Sequence, residues 1–481
     1  MTTTPDQLDE IVARARTAFP AWRDADAATR ARWLRALADA LDAAADELVE
    51  IADRETRLGG TRLRGEVART TGQLRLFAGV VEEGSYLELT VDDADPSATP
   101  PRPELRRLLV PLGVVAVFSA SNFPFAFSVC GGDTASALAA GNPVVVKAHS
   151  GHPELSRRTA QIAAAALEAA GAPSGSLALV EGRAAGNALV VHPAVRAAGF
   201  TGSVAGGRAL FDLASGRPDP IPFYGELGSL NPVVVTRGAA AARRDELAAG
   251  LVGSFTLGSG QFCTKPGVVF VPRGAGFEDA VAAQVADAHG GPLLTDRITE
   301  AFPEGVDRLA ADPSATVIAH GAASDGARPV VIATDAAAIA ERPDVLLEEV
   351  FGPATLLVAY DDEEQLLRAI AAVPGSLTAT LHAEEDEEVD ALVDALTAVA
   401  GRVLFAGWPT GVAVTWSQHH GGPWPATTSL HTSVGATAIR RFLRPVAYQD
   451  APQRLLPAPL RDEALARLPH RRNGGLVVPR G

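Results

Sequence analysis

Across residues 8–81 apolar residues recur at spacings of three and four, Leu34, Leu37, Leu41 and Leu48 among them, between Arg, Asp and Glu. That period predicts a block of amphipathic helices. A proline-rich stretch at 96–103 ends the block. Beyond it, short apolar runs alternate with alanine-rich ones. The runs at 114–118, 143–148, 177–180 and 197–200 predict strands, and those at 134–140 and 154–170 predict helices. Such alternation implies an α/β fold built on a mostly parallel sheet. The pattern restarts after Glu226 with a strand at 233–235, a helix over 244–257 and a strand at 268–271, which predicts a second α/β lobe. The tail at 452–481, rich in Pro and Arg, reads as a loosely packed extension.

At 481 residues the chain exceeds what one core usually organises, and 47% hydrophobic residues suffice to fill two or three lobes. A net charge of -15 argues against nucleic acid or an anionic membrane surface as the main partner and leaves a small molecule. The most apolar stretch, 114–129, is broken by Ser119, Ser121, Asn122 and Pro124, so it lacks the ~20 clean residues of a membrane span. The start of the chain, with Asp6 and Asp9, lacks the basic and apolar regions of a secretory signal. Two cysteines, Cys130 and Cys263, supply neither a disulfide framework nor a metal cluster. A cytoplasmic, reducing location is expected, with no metal. Of 42 basic residues only Lys147 and Lys265 are lysines, which suggests that both positions require a compact ammonium.

Cys263 lies in Gly258-Ser259-Gly260-Gln261-Phe262-Cys263-Thr264-Lys265-Pro266, between a helical run and a strand, where glycines permit a tight turn that exposes a side chain. That setting suits a nucleophile, and Lys265 is placed to lower the thiol pKa or to attract an anionic substrate. Cys130, in Phe127-Ser128-Val129-Cys130, reads as buried core. Glu226, between Gly225 and Leu227-Gly228, is a candidate base if burial raises its pKa, and otherwise a surface turn. Asn122, in Ser121-Asn122-Phe123-Pro124, offers an amide to an oxyanion, or else caps a turn. Neither Gly-x-Gly-x-x-Gly after a strand nor a P-loop occurs. The segment Phe200-Thr201-Gly202-Ser203-Val204-Ala205-Gly206-Gly207 is compatible with a pyrophosphate at a helix N-terminus.

In order, Ser121-Asn122-Phe123-Pro124, Val144-Val145-Val146-Lys147, Phe200-Thr201-Gly202-Ser203, Gly225-Glu226-Leu227-Gly228, Gly260-Gln261-Phe262-Cys263 and Glu348-Glu349-Val350-Phe351-Gly352-Pro353 closely resemble the aldehyde dehydrogenase superfamily. Within it, the 118–128 segment, Lys147-Ala148-His149 and Gly407-Trp408-Pro409-Thr410-Gly411-Val412 are most similar to the α-ketoglutaric semialdehyde (2,5-dioxopentanoate) dehydrogenases. The resemblance implies that Cys263 attacks the aldehyde carbon, that Asn122 and the Cys263 N–H hold the oxyanion, and that Glu226 activates the water that hydrolyses the thioester. It places Lys147 at the adenosine ribose, Gly202 and Ser203 at the pyrophosphate, Leu227 on the cofactor side, and Glu349 with Phe351 at the nicotinamide ribose. Phe125, Lys265 and Trp416 are candidate substrate residues, with His419 and His420 either lining the tunnel or lying in a surface loop.

Relatives that prefer NAD usually carry Glu three residues after this lysine, where Ser150 stands here. A hydroxyl does not repel a 2′-phosphate, and Arg183 is a candidate partner for one, so NADP is expected to be accepted and preferred, with NAD the alternative. The resemblance further implies an aldehyde dehydrogenase-like fold of two Rossmann-like lobes. A cofactor-binding lobe would comprise 1–104 and 113–226, and a catalytic lobe 227–428. A small β bridging and oligomerisation element would comprise 105–112 and 429–450, with 451–481 as the extension. A homodimer or homotetramer is expected, and a monomeric mass by light scattering would contradict it. Other readings are the same chemistry on succinic semialdehyde or an aliphatic aldehyde, a cofactor-free Cys/Glu hydrolase or acyltransferase, and a relative without turnover.

Overall fold

In the computed structural model, which describes residues 2–323 and 326–479, helices surround three sheets. The first helix, Pro5–Asp24, starts where local chemistry dictates, with Pro5 in its first turn and Thr4 and Gln7 capping each other through bonds of 3.3 and 2.9 Å. With Ala27–Ala43, Ala45–Thr56 and Gly60–Glu83 it forms the helical block, whose Leu34, Leu37, Leu48, Leu63 and Leu74 are fully buried. Each such leucine contributes about 2 kcal/mol by leaving water.

The first sheet runs Leu177–Val180, Val144–Lys147, Val114–Phe118, Val195–Thr201 and Phe223–Glu226, all parallel. Its central strand, Val114–Phe118, is buried on both faces, hence the unbroken apolar run. The chain leaves this strand first to one side and then to the other, so a crevice opens between Val114–Phe118 and Val195–Thr201 at their C-terminal ends. Asn122, Gly202, Ser203 and Glu226 all follow or end strands on that side.

The second sheet runs Thr316–His320, Val330–Asp335, Ala354–Tyr360, Val268–Pro272, Val233–Val235, Ser376–His382 and Ala400–Phe405, parallel but for its first pair. Helix Arg237–Thr256 begins earlier than its sequence pattern suggests, capped by Thr236, whose hydroxyl accepts from the Ala239 N–H at 3.2 Å.

The third sheet runs Leu443–Gln449, Leu105–Pro111, Thr90–Asp92, His470–Arg472 and Gly475–Val477. Two expectations need correction here. Thr90–Asp92, assigned by sequence to the cofactor lobe, pairs with both Leu105–Pro111 and His470–Arg472. The C-terminal stretch is not loosely packed, because Leu456, Leu460 and Leu465 bury themselves against Leu89, Val91 and Leu108. Its few leucines are separated by Pro and Arg, which hides them from any periodic reading. No helix of the described residues is long and apolar enough to cross a membrane.

Candidate active site

Three backbone features shape the turn that carries Cys263. Gly258, Ser259 and Gly260 take φ of 56°, 55° and 68°. At Gly260 a Cβ would stand 2.2 Å from the Gly352 carbonyl oxygen, so only glycine lets the two loops meet. Asn231, buried and itself at φ 52°, donates from Nδ2 to the Cys263 and Lys265 carbonyls at 2.8 and 2.9 Å. Its Oδ1 accepts from the Ser229 hydroxyl at 2.6 Å and the Thr378 hydroxyl at 3.1 Å. This clamp fixes the nucleophile turn to the second sheet, and the sequence reading missed it because Asn-Pro reads as an ordinary turn.

Cys263 is half-buried, and its sulfur lies 3.6 Å from His420 Nε2. His420 Nε2 in turn lies 2.9 Å from Glu226 Oε1, while the Ser433 hydroxyl donates to Glu226 Oε2 at 2.5 Å. Glu226 ends its strand, and its carbonyl accepts from the Gly202 N–H at 3.0 Å. The Asn122 side chain reaches the same turn, donating from Nδ2 to the Gln261 carbonyl at 3.0 Å and keeping its second amide hydrogen available. Cys263, Glu226 and Asn122 therefore converge, and the structure adds His420 and Ser433 to them.

The electrostatics depart from expectation in one respect. Burial alone would raise the Glu226 carboxyl, but the facing His420 imidazole and the Ser433 hydroxyl outweigh it and hold this group below the usual carboxylate range. Glu226 is thus an anion at neutral pH. Burial, and then that anion, push the Cys263 thiol well above its ordinary value. The cation pulling the other way is Arg69, not Lys265.

Lys265 is corrected in both of its expected roles. It is neither solvated nor open to substrate, being 3% exposed with Nζ donating to the Val350 and Ala354 carbonyls at 2.8 Å each. It ties the loop bearing Glu349 and Phe351 to the nucleophile turn. Burial pushes the Glu349 carboxyl up and the Lys265 ammonium down, each charge partly offsetting the effect on the other. Phe125 is also corrected, since it lies in the core with Leu41, Leu48 and Val129. The aromatic rings beside the site are Phe123, Phe127 and Phe262, with Phe123 5.4 Å from each of the other two. Trp416 is 48% exposed in the loop leading to His420. Cys130 is fully buried, its thiol pushed up to about 12 by that burial.

His420 does not belong to a surface loop. Its N–H donates to the Thr432 hydroxyl at 2.8 Å, its carbonyl accepts from the Ser433 N–H at 2.9 Å, and the residue has no exposed area. The available signal was Gly421-Gly422, where a Cβ on Gly422 would stand 2.1 Å from the Ser376 carbonyl oxygen, so the loop plunges inward.

The remaining residues frame the crevice of the first sheet. Lys147 ends its strand beside Val180, and burial lowers its ammonium. Ser150 and Arg183 are exposed, each three residues beyond that register pair. Ser203 caps helix Val204–Ser215, its Oγ accepting from the Gly206 N–H at 3.2 Å. The Leu227 side chain lies where a Cβ on Gly207 would be, 2.0 Å from its Cδ2, and Glu349 Oε2 lies 2.4 Å from the place of a Gly228 Cβ. Glycines here admit close approach beneath an open helix N-terminus, a donor set that fits a dinucleotide with its pyrophosphate at that end.

Comparisons with known proteins agree with this geometry. The chain is 48% identical over 472 residues to alpha-ketoglutaric semialdehyde dehydrogenase 2 of Azospirillum brasilense, covering 96% of this chain and 90% of that one. It is 42% identical to alpha-ketoglutaric semialdehyde dehydrogenase of Acinetobacter baylyi, covering 95% and 89%. Among solved structures, Bradyrhizobium japonicum proline utilization A superposes with a TM-score of 0.79 at 26% identity, over 93% of this chain and 45% of that longer one. An E. coli NADP dependent enzyme shares the fold, with a TM-score of 0.77 at 24% identity over 92% and 90%. The aldehyde dehydrogenase family profile matches residues 1–429, and the chain belongs to that family.

Proposed function

We propose that this enzyme oxidises 2,5-dioxopentanoate, the semialdehyde of α-ketoglutarate, to 2-oxoglutarate through a thioester on Cys263. The observation that carries the chemistry is the contact set of Cys263, His420, Glu226 and Ser433 facing Asn122. The substrate rests on the two similar dehydrogenases and on the Arg69 charge felt at the thiol.

The Glu226 anion is placed to assist the first step by taking the thiol proton as sulfur attacks the aldehyde carbon. The new oxyanion receives the free Asn122 amide hydrogen and the Cys263 backbone N–H. Bound nicotinamide supplies a hydride acceptor. Once the thiol proton has passed from Glu226 to solvent, the Glu226 anion draws a proton from the water that attacks the thioester, while His420 and Ser433 hold its two oxygens in place. Lys147, Ser203 and Glu349 are the side chains that would hold the dinucleotide.

NADP preference is part of the same reading. It is supported by Ser150 and Arg183 leaving the ends of two adjacent parallel strands, with no carboxylate at position 150. Assembly through the third sheet is supported by the unpaired outer edge of Leu443–Gln449. The test is reduced-nicotinamide absorbance with NADP and NAD across 2,5-dioxopentanoate, succinic semialdehyde and pentanal. The dioxo acid with NADP is expected to give the highest kcat/KM. Highest activity on pentanal would remove the substrate, and a clear preference for NAD would remove the cofactor assignment.

A further inference from the structure

Nearly every cation around the nucleophile is already engaged. Lys265 is bonded to two carbonyls. Arg402, whose charge reaches Cys263, gives Nη1 to the Gly411 carbonyl at 2.9 Å and Nη2 to the Pro409 carbonyl at 2.8 Å. Arg62 gives Nη2 to the Asn122 carbonyl at 2.6 Å and Nε to Glu66 Oε1 at 3.3 Å. Arg402 leaves its Nε unmet, and Arg69 differs in spending no donor at all on the described residues. Its Nε and Nη2 are buried and find no acceptor among the described residues.

Arg69 stands on helix Gly60–Glu83 with its guanidinium carbon 5.8 and 5.5 Å from the ring centres of Phe123 and Phe127. The Phe127 ring lies 6.5 Å from that of His420, whose Nε2 is 3.6 Å from the nucleophilic sulfur. The guanidinium and His420 thus both lie near the same aromatic ring. Its charge is felt at Cys263, Glu66 and Glu226, yet it bonds to none of them. Glu66 spends its oxygens on Arg62 and on the Phe125 N–H at 3.4 Å.

We infer that Arg69 is the receptor for the substrate's carboxylate, gripping it with Nε and Nη2 beside the Phe127 ring. This inference rests on the keto-acid semialdehyde reading above. Nε and Nη2 share one edge of the guanidinium, and that edge forms a two-bond fork with a carboxylate elsewhere in this chain, where Arg158 meets Glu47 at 2.6 and 3.0 Å. Packed against two phenylalanine rings, such a fork is poorly solvated, so leaving it unpaired is costly and a ligand that supplies two acceptors is strongly favoured. In a five-carbon keto acid the carboxylate lies at the end opposite the aldehyde, which suits a cation that is felt at the sulfur without bonding to it. A neutral aldehyde would leave the buried donors unmet, so the same residue both selects the acid and disfavours its uncharged analogue.

The test compares wild type, Arg69→Met and Arg69→Lys on 2,5-dioxopentanoate and on pentanal, and measures inhibition of pentanal oxidation by 2-oxoglutarate. Arg69→Met should lower kcat/KM for the dioxo acid relative to pentanal by about a hundredfold, chiefly through KM, with partial recovery in Arg69→Lys. The inhibition constant of 2-oxoglutarate should rise at least about tenfold. Equal losses on both aldehydes would show a merely structural role and overturn the inference, as would an unchanged inhibition constant. The wild-type ratio of dioxo acid to pentanal reads the substrate assignment separately, because inhibition by the dicarboxylate does not depend on turnover of the dioxo acid. Thermal melting of both variants checks that the helix has kept its fold.

Discussion

Glu226→Gln protein is expected to form about one equivalent of reduced nicotinamide per site and then nearly stop, with steady-state turnover lower by ~10³-fold. Glutamine keeps the length and planarity of the side chain, so the Ser433 and His420 contacts at 2.5 and 2.9 Å can be replaced by weaker ones. What it cannot do is accept a proton from water. Losing the anion also removes a cause of the raised Cys263 thiol, so acylation should suffer less than deacylation. Rapid mixing separates the two phases. A slowed steady state with no early burst would show that Glu226 limits the first step and contradict this expectation.

Cys263→Ala should abolish aldehyde oxidation, by at least ~10⁴-fold, since the thioester can form only on a thiol. The nearest alternatives, His420 and Ser433, are both bonded to Glu226. The replaced side chain is small and half-buried, and stability should change by only about 1 kcal/mol. Dinucleotide binding, measured by fluorescence quenching, should persist because Lys147 and Ser203 lie on the first sheet and its following helix. A residual rate above ~1% of wild type would move the chemistry to another group.

Much of the fold was legible because a doubly covered parallel sheet writes itself as unbroken apolar runs. Val114–Phe118, Leu177–Val180 and Val233–Val235 coincide with the runs that predict them. The third sheet was harder to read, since Thr90–Asp92 and His470–Arg472 are three-residue strands with charged side chains whose pairing is purely long-range. At the site, Cys263 and Glu226 carried local signatures in their flanking glycines. His420 carried only the Gly421-Gly422 that follows it, and Arg69 carried none. Histidine in a loop and arginine in an amphipathic helix are each ordinary surface residues until tertiary packing covers them, as Phe123 and Phe127 pack against the partly buried Arg69. The two lysines were informative in an unexpected sense. Lys265 is preserved as an ammonium because two carbonyls converge on a single point charge, a job a planar guanidinium would do poorly in so small a space.

The central claim is that oxidation of the dioxo acid passes through a thioester on Cys263, and acid-quenched Glu226→Gln protein mixed with 2,5-dioxopentanoate and NADP tests it most directly. Intact mass followed by peptide mapping should find one acyl group of that substrate per chain, on the peptide containing Cys263. Reduced nicotinamide formed without any adduct on that peptide would contradict the account.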